Sequence, residues 1–274
     1  MKTKISTLFA LVLCIFSLNA SAIKLSKDAT ISILTCAPGN ELYSLFGHTG
    51  IRITDEANRL DIVFNYGTFD FETQGFYFKF AQGLLPYQLS CTDFDYFVRS
   101  YHREKRSVYS QTLNLDSIQK QYLMDLLVEN YQPQNRSYLY NFLYDNCSTR
   151  VRDIIEKSTD NHITWTAEPS TKSFWNLLDE YLRRSPWTQW GIHTILGSPA
   201  TSTATTREQM FLPDYLMYRL DSAAYNGNRL VEPIEVIYQA PEQDLSTPWY
   251  LSPFFVFAVC TLAFILLLQK YKSR

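Results

Sequence analysis

The hydrophobic period changes several times along the chain, and each change marks an element. "ISILTC", from Ile31, reads as a buried strand, closed by the turn residues of "APGN". "ELYSLFG" reads as a short helical turn. "HTGIRITDE" then alternates, with His48 at its head and Ile51 and Ile53 on one face. "RLDIVFNYG" follows after a turn at Ala57 and Asn58, so the two runs are expected to pair as antiparallel neighbours. The aromatic, glycine-punctuated segment "FDFETQGFYFKFAQGLLPYQLSCT" yields a strand only in its second half, "LLPYQLS". "DFDYFVRSYHREKR" predicts a helix and "SVYSQTLNL" a further strand.

The clearest helix comes next. Asp116 caps it, Gln119 completes a capping box, and Ile118, Tyr122, Leu126 and Tyr131 keep helical spacing until Pro133. After "YLYNFLY" a second helix starts at Asn146 or Cys147, with Asp145 or Asn146 as its cap. Cys147, Val151, Ile154 and Ile155 share one face of it, which points the thiol toward the sheet. Beyond Trp165, "STKSFWNLLDEYLRR" and "REQMFLPDYLMYRL" are helical patches, and "LVEPIEVIYQ" is a last strand. No internal repeat appears. The class is α+β, a small, largely antiparallel sheet with flanking helices.

The two ends add a layout. Lys2 and Lys4 precede the apolar "LFALVLCIFSL", and "NASA" ends at Ala22, so residues 1–22 read as a secretory signal peptide. Cys14 lacks the small preceding residue of a lipidation site. "WYLSPFFVFAVCTLAFILLL", from Trp249 to Leu268, is uncharged and long enough to span a bilayer, and a transmembrane helix is expected over 247–269. The positive flank "QKYKSR" puts the tail, 270–274, in the cytoplasm and the domain at 23–246 in the periplasm, held at the inner membrane by one span.

Composition narrows the chemistry only a little. A net charge of −2 gives no reason to expect nucleic acid as a partner. Aromatic residues make up 15% of the chain, which suits either core and rim or a lipid-facing groove. Cys36, Cys91 and Cys147 remain in the exported part, so at least one thiol is unpaired; Cys36 and Cys91 are either a disulfide or both reduced. Without HExxH or clustered Cys/His spacing, no metal and no cofactor is expected.

The candidate chemistry centres on "YDNCSTR". A helix N-terminus lowers the pKa of a thiol and offers N–H groups to an oxyanion. His48, placed directly after Gly47, is the candidate base, and the next strand offers Asn65 and Asp61 to hold its second ring nitrogen. Cys147, His48 and Asn65 thus form the minimal set for thiol acyl transfer. On spacing alone, a buried cysteine also fits plain core packing. Ser44 lacks a nucleophile elbow, and His102, His162 and His193 sit among charges or in loop-like contexts.

"ELYSLFGHTGIRI", "DIVFNYGTFDF", "FYFKFAQGLLPYQL", "YLYNFLYDNCSTRVRDII" and "REQMFLPDYL" together resemble the periplasmic domain of the Lnb family, lipoprotein N-acyltransferases of Bacteroidota, over about Cys36 to Leu216. The order of His strand, polar strand and Cys helix also resembles the permuted papain-like fold of NlpC type, similar to lecithin-retinol acyltransferases. The resemblance implies that Cys147, served by His48, takes an acyl chain from a phospholipid as a thioester. It passes the chain to the N-terminal amine of a diacylated lipoprotein, without a cofactor. Two other readings use the same residues or the same fold: an NlpC-type amidase or endopeptidase acting on cell-wall peptides, and a binding domain without chemistry.

Overall fold

The computed structural model describes residues 23–69, 86–166, 168–241 and 248–272, and the single positions 74 and 79. The expected signal peptide, most of the aromatic segment at 70–85 and the acidic Glu242 and Asp244 lie outside the described residues.

Alternation along the strands builds one sheet with two covered faces. β1 (Thr30–Cys36), β2 (His48–Asp55), β3 (Leu60–Thr68), β4 (Pro86–Asp93), β5 (Val108–Thr112) and β6 (Ser137–Leu139) join it in that chain order. β7 (Ile163–Thr164), β8 (Ala224–Tyr225) and β9 (Asn228–Arg229) make a separate small sheet, and β10 (Glu235–Tyr238) returns to the large one. The spatial order is β10-β5-β1-β2-β3-β4-β6, with antiparallel pairing throughout. The expected β2–β3 pair forms, with Ile51 opposite Phe64 and Ile53 opposite Ile62.

On one face Ile31, Ile33, Ile51, Ile53 and Phe64 pack beneath a layer of helices; on the other Leu34, Cys36 and Val63 meet Phe97. Burial from both sides is why "ISILTC" reads as a buried strand rather than an alternating one. Helix α1 (Phe94–Arg103) supplies Phe97, while α2 (Ser117–Tyr131) and α3 (Cys147–Ser158) cover the first face. Truncating any one of the four fully buried isoleucines to alanine would cost roughly 2–5 kcal/mol.

The capping box of α2 forms as expected: Asp116 Oδ1 accepts from the N–H groups of Ile118 and Gln119, both at 2.9 Å, and Gln119 Oε1 accepts from Asp116 N–H at 3.0 Å. Its inward face differs from the expected one. Leu123, Met124, Leu126 and Leu127 are buried, whereas Ile118, Tyr122 and Tyr131 are exposed. The aliphatic side chains occupy the sheet-facing stripe, and both tyrosine rings stay at its solvated margin.

The second half of the chain adds α4 (Phe174–Leu182), α5 (Pro186–Leu196), α6 (Thr206–Gln209), α7 (Pro213–Ser222) and α8 (Pro253–Lys272). "REQMFLPDYLMYRL" is two helices because Pro213 cannot continue α6 and instead takes the first position of α7. α5 was not anticipated, nor were the two-residue strands β7–β9. "ELYSLFG" is a turn without a helix. Among the described residues α8 alone is long and apolar enough to cross a membrane, and it fits a membrane-anchored protein. It begins after the 3-10 turn Trp249–Leu251, four residues later than the apolar run suggested.

The sheet also decides the cysteine pairing. Cys36 on β1 and Cys91 on β4 are separated by β2 and β3, roughly 14 Å at ordinary strand spacing and far beyond disulfide reach. Both are free thiols, as are Cys147 and Cys260. The thermal midpoint of the protein in detergent should therefore be the same with and without dithiothreitol. A fall of several degrees on reduction would reveal a bridge that this fold does not permit.

Candidate active site

Cys147 stands where it does because of Asn146. That side chain caps α3: its Oδ1 accepts from the N–H groups of Ser148 (2.9 Å) and Thr149 (3.0 Å). Thr149 Oγ1 accepts from Asn146 N–H at 2.8 Å, closing a capping box. The amide nitrogen is equally occupied, donating to the carbonyls of Phe142 and Phe211, both at 2.8 Å. Asn146 is therefore the cap rather than Asp145. The Asp145 carboxylate takes a two-point contact from Arg150 at 2.6 and 2.8 Å, and that guanidinium lies 3.5 Å over the Tyr138 ring. Both neighbours are committed to structure.

With its start fixed, α3 buries Cys147, Val151, Ile154 and Ile155 on the expected face. The sulfur accepts hydrogen bonds from the backbone N–H groups of Thr49 and Ser148 and from the Ser148 hydroxyl. Ser148 Oγ in turn pairs with Thr49 Oγ1 at 2.8 Å, so the first turn of α3 is buttoned to the first residues of β2. β2 is available there because its register with β3 begins only at Ile51–Phe64, while His48, Thr49 and Gly50 pair with β1. Burial pushes the Cys147 thiol up, and these hydrogen bonds only partly offset it. The expected lowering by the helix terminus is thus overruled by desolvation. At rest the sulfur is a neutral thiol.

His48 follows Gly47, whose φ is +82°; a β-carbon at Gly47 would lie 2.8 Å from the Cys36 carbonyl oxygen, so only glycine fits. The residue is partly buried. Its Nε2 lies 3.3 Å from Asn65 Oδ1, and Asn65 Nδ2 is 3.5 Å from the Val63 carbonyl, which turns the amide oxygen toward the ring. In that orientation Nε2–H donates and Nδ1 is left bare to accept a proton. Burial, and then the positive charge of Arg106, push the imidazole down to about 4 against the opposing bond from Asn65. Asp61, the other expected partner, is taken by Arg52 at 2.7 and 2.8 Å. Among the described residues, Asn65 alone hydrogen-bonds the ring.

Gly67 brings the two halves together, and sequence reasoning missed it. The β3–β4 register shifts between Asn65 and Thr68, and Gly67 within that shift has φ +93°. A β-carbon there would sit 3.6 Å from Cys147 Cβ and 3.9 Å from His48 Cε1. Thiol and imidazole therefore flank one small gap in the sheet, without a hydrogen bond between them in the resting geometry. A glycine inside an otherwise alternating strand was the available signal.

Cys147 and His48 both line a pocket of about 480 Å³ whose walls include Phe46, Tyr87, Tyr140, Phe142, Ile192 and Phe211. Tyr87 and Tyr140 stack in it at 4.1 Å between ring centres. Across His48 lies a second pocket of about 330 Å³, bounded by Ser90, Thr92, Ser100, Glu104 and Arg106. Tyr43, Phe69, Tyr96 and Phe97 also wall this second pocket, and His48, Gly67 and Tyr43 line both. A larger cleft of about 1130 Å³ beside α4 and α7 includes neither Cys147 nor His48. The remaining histidines lie outside all three: His162 is exposed, His102 lies against Tyr238, and His193 in α5 stacks on Trp175 and meets Asp179 at 2.9 Å. Ser44 Oγ donates to the Glu41 carbonyl at 2.9 Å.

Asn146→Ala removes the cap and strands two carbonyls, so it should destabilise the domain by about 2–4 kcal/mol, read as a lower urea midpoint at unchanged slope. A midpoint within error of wild type would mean that water replaces the amide and that Asn146 does not set the position of the sulfur.

The family model described as the Lnb N-terminal periplasmic domain matches residues 21–180, a span that contains His48, Asn65 and Cys147. No curated protein and no solved structure matches the chain. The matched span is more than half of the 274 residues, and the chain belongs to the Lnb family, carrying its periplasmic N-terminal domain.

Proposed function

We propose that the protein is a membrane-anchored thiol acyltransferase that moves a fatty acyl chain from a phospholipid to the N-terminal amine of diacylglyceryl lipoproteins. One observation carries the reading beyond the family: the thiol and the base share an apolar, aromatic-walled pocket sized for a hydrocarbon chain. A cell-wall peptide, polar and charged, would leave its groups unpaired against those walls. That weighs against an NlpC-type amidase. A Cys helix laid over a strand-borne His in an antiparallel sheet, His first in the chain, supports the permuted papain-like relation.

Each step then has a residue. With the donor ester in the pocket, His48 Nδ1 takes the thiol proton as Sγ bonds to the carbonyl carbon. The Cys147 N–H, at the first position of α3, stands ready for the oxyanion. As the tetrahedral adduct collapses, the C–O bond breaks and His48 returns its proton to the departing lysophospholipid oxygen. A lipoprotein amine, neutral in part because its ordinary pKa is near 8, attacks the thioester. His48 accepts the amine proton, the C–S bond breaks, and the thiol is restored. Asn65 acts as a positioning residue, keeping Nδ1 bare. A single C-terminal span in the inner membrane, with the domain facing the periplasm, would hold the thiol beside two lipid-anchored substrates at high effective concentration.

Expressed in a strain lacking its own lipoprotein N-acylation, the protein should yield triacylated N-termini by mass spectrometry, and Cys147→Ala or His48→Ala should return them to the diacyl form. Diacyl termini from the wild type, together with hydrolysis of murein peptides, would replace this reading with the amidase. Triacylation retained by Cys147→Ala would leave a domain whose thiol takes no part.

The pH profile offers an independent check. The working form of His48 is the neutral ring, and a pKa held near about 4 keeps it neutral well below the ordinary value of 6.5. The rate of Cys147 acylation in a single turnover should hold through 6.5 and fall only as the pH approaches 4. An acidic limb centred on 6.5 would show a solvated imidazole and contradict the site as described.

A further inference from the structure

Helix α5 is anomalous for a water-soluble domain. Its sequence, "PWTQWGIHTIL", is mostly apolar, yet none of its residues is buried in the protein. Trp187, Trp190 and Ile195 are exposed by 41%, 52% and 60%. A helix without a buried stripe is ordinarily polar all round. Ile192 and Leu196 pack in part against the core of α4, so it is the outward side, with Trp187 and Trp190, that something outside the chain must cover.

Its neighbours say what. Trp187 Nε1 donates to the Leu251 carbonyl at 2.6 Å, in the turn that leads into α8. The rings of Trp187 and Trp190 each lie 5.6 Å from the ring of Phe257, centre to centre. Phe257 is one turn past Pro253, about 6 Å into the helix. In α8 itself only Pro253 is buried, so lipid is the only solvent suited to the rest of it. α5 is therefore pinned at the depth where α8 enters the hydrocarbon. Trp249 and Tyr250 are exposed at the same level, and the exposed Arg183 and Arg184 immediately precede α5. Aromatic rings with cations beside them are the composition of a membrane–water interface.

The inner side of the same helix belongs to the active site. Ile192, Ile195 and Leu196 line the Cys147 pocket, and its other rim residues Leu42, Tyr43 and Tyr144 are exposed hydrophobics. An apolar surface thus runs from the thiol chamber over α5 to the flank of α8. A second copy of the chain could cover such a patch, but α8 brings lipid to its edge in any oligomeric state.

We infer that α5 is a membrane-surface helix, seated in the headgroup layer of the leaflet that α8 enters, and that it turns the mouth of the Cys147 pocket to the bilayer so that the acyl donor slides in sideways without crossing water. The seating stands on the geometry of α5 and α8; the lateral entry rests also on the acyl-transfer reading.

The test uses the full chain in phosphatidylethanolamine–phosphatidylglycerol vesicles doped with phospholipid brominated near the headgroup end of its chains. Wild-type tryptophan fluorescence should be quenched, and the double variant Trp187→Phe, Trp190→Phe should lose at least half of the quenchable signal. Equal quenching in both, or a detergent-stable dimer that shields these indoles, would overturn the seating. Trp190→Glu, outside the pocket lining, should slow Cys147 acylation by vesicle phospholipid at least tenfold while leaving acylation by a water-soluble short-chain ester unchanged. Unchanged rates with both donors would overturn lateral entry. Loss with both donors would also overturn it, placing Trp190 in the support of the site itself. Failure of the wild type to accept either donor would overturn lateral entry and acyl transfer together, and the quenching result would still decide the seating.

Discussion

The amide of Asn146 governs this molecule. All four of its hydrogen-bonding positions are engaged, two accepting from the first turn of α3 and two donating to carbonyls that precede α3 and α7. A helix start is usually the part of a helix freest to fray. Here it is tied to two separate stretches of chain, and the residue next to the tie is the proposed nucleophile, Cys147. The Ser148–Thr49 hydroxyl pair adds a third point, against β2. The sulfur is therefore positioned by backbone, not by the rotamer of a surface side chain.

The second organising feature is an absence of charge. Burial raises the thiol and lowers the imidazole, so both members of the pair rest neutral. Separating them into thiolate and imidazolium inside an apolar pocket would cost free energy, which only new charge-stabilising partners can offset. The backbone N–H groups of Thr49, Ser148 and Cys147 itself, which favour the thiolate form, are such partners. Arg106 opposes charge separation from the far side of the ring by disfavouring the imidazolium. The balance makes His48 a base that is always available and never strong.

Much of this arrangement was legible in the chain. The strands β1 to β3 announced themselves by period, the α2 box by its Asp and Gln, and the α3 start by an Asx residue before a polar turn. What escaped had physical causes. Asp61 and Asn65 were equal candidates on one strand until the register placed Arg52 diagonally beside Asp61 and took it away. Gly67 acts through a gap, and a gap has no residue type of its own. α5 carries neither the stripe of a core helix nor the length of a span, because it packs against an apolar helix rather than a sheet. The tyrosines of α2 fit a helical period equally well facing in or out, and only packing chose.

The resting neutrality of Cys147 has a bearing on where the protein works. Compartments outside the cytoplasm favour disulfides, and the sulfur species that oxidants and other thiols attack is the thiolate. Burial that raises the Cys147 thiol disfavours the thiolate from which the sulfenic–sulfinic ladder starts. With Cys36 similarly buried on the opposite face of the sheet and pushed up to about 12, burial rather than a disulfide shields the sulfur of both residues.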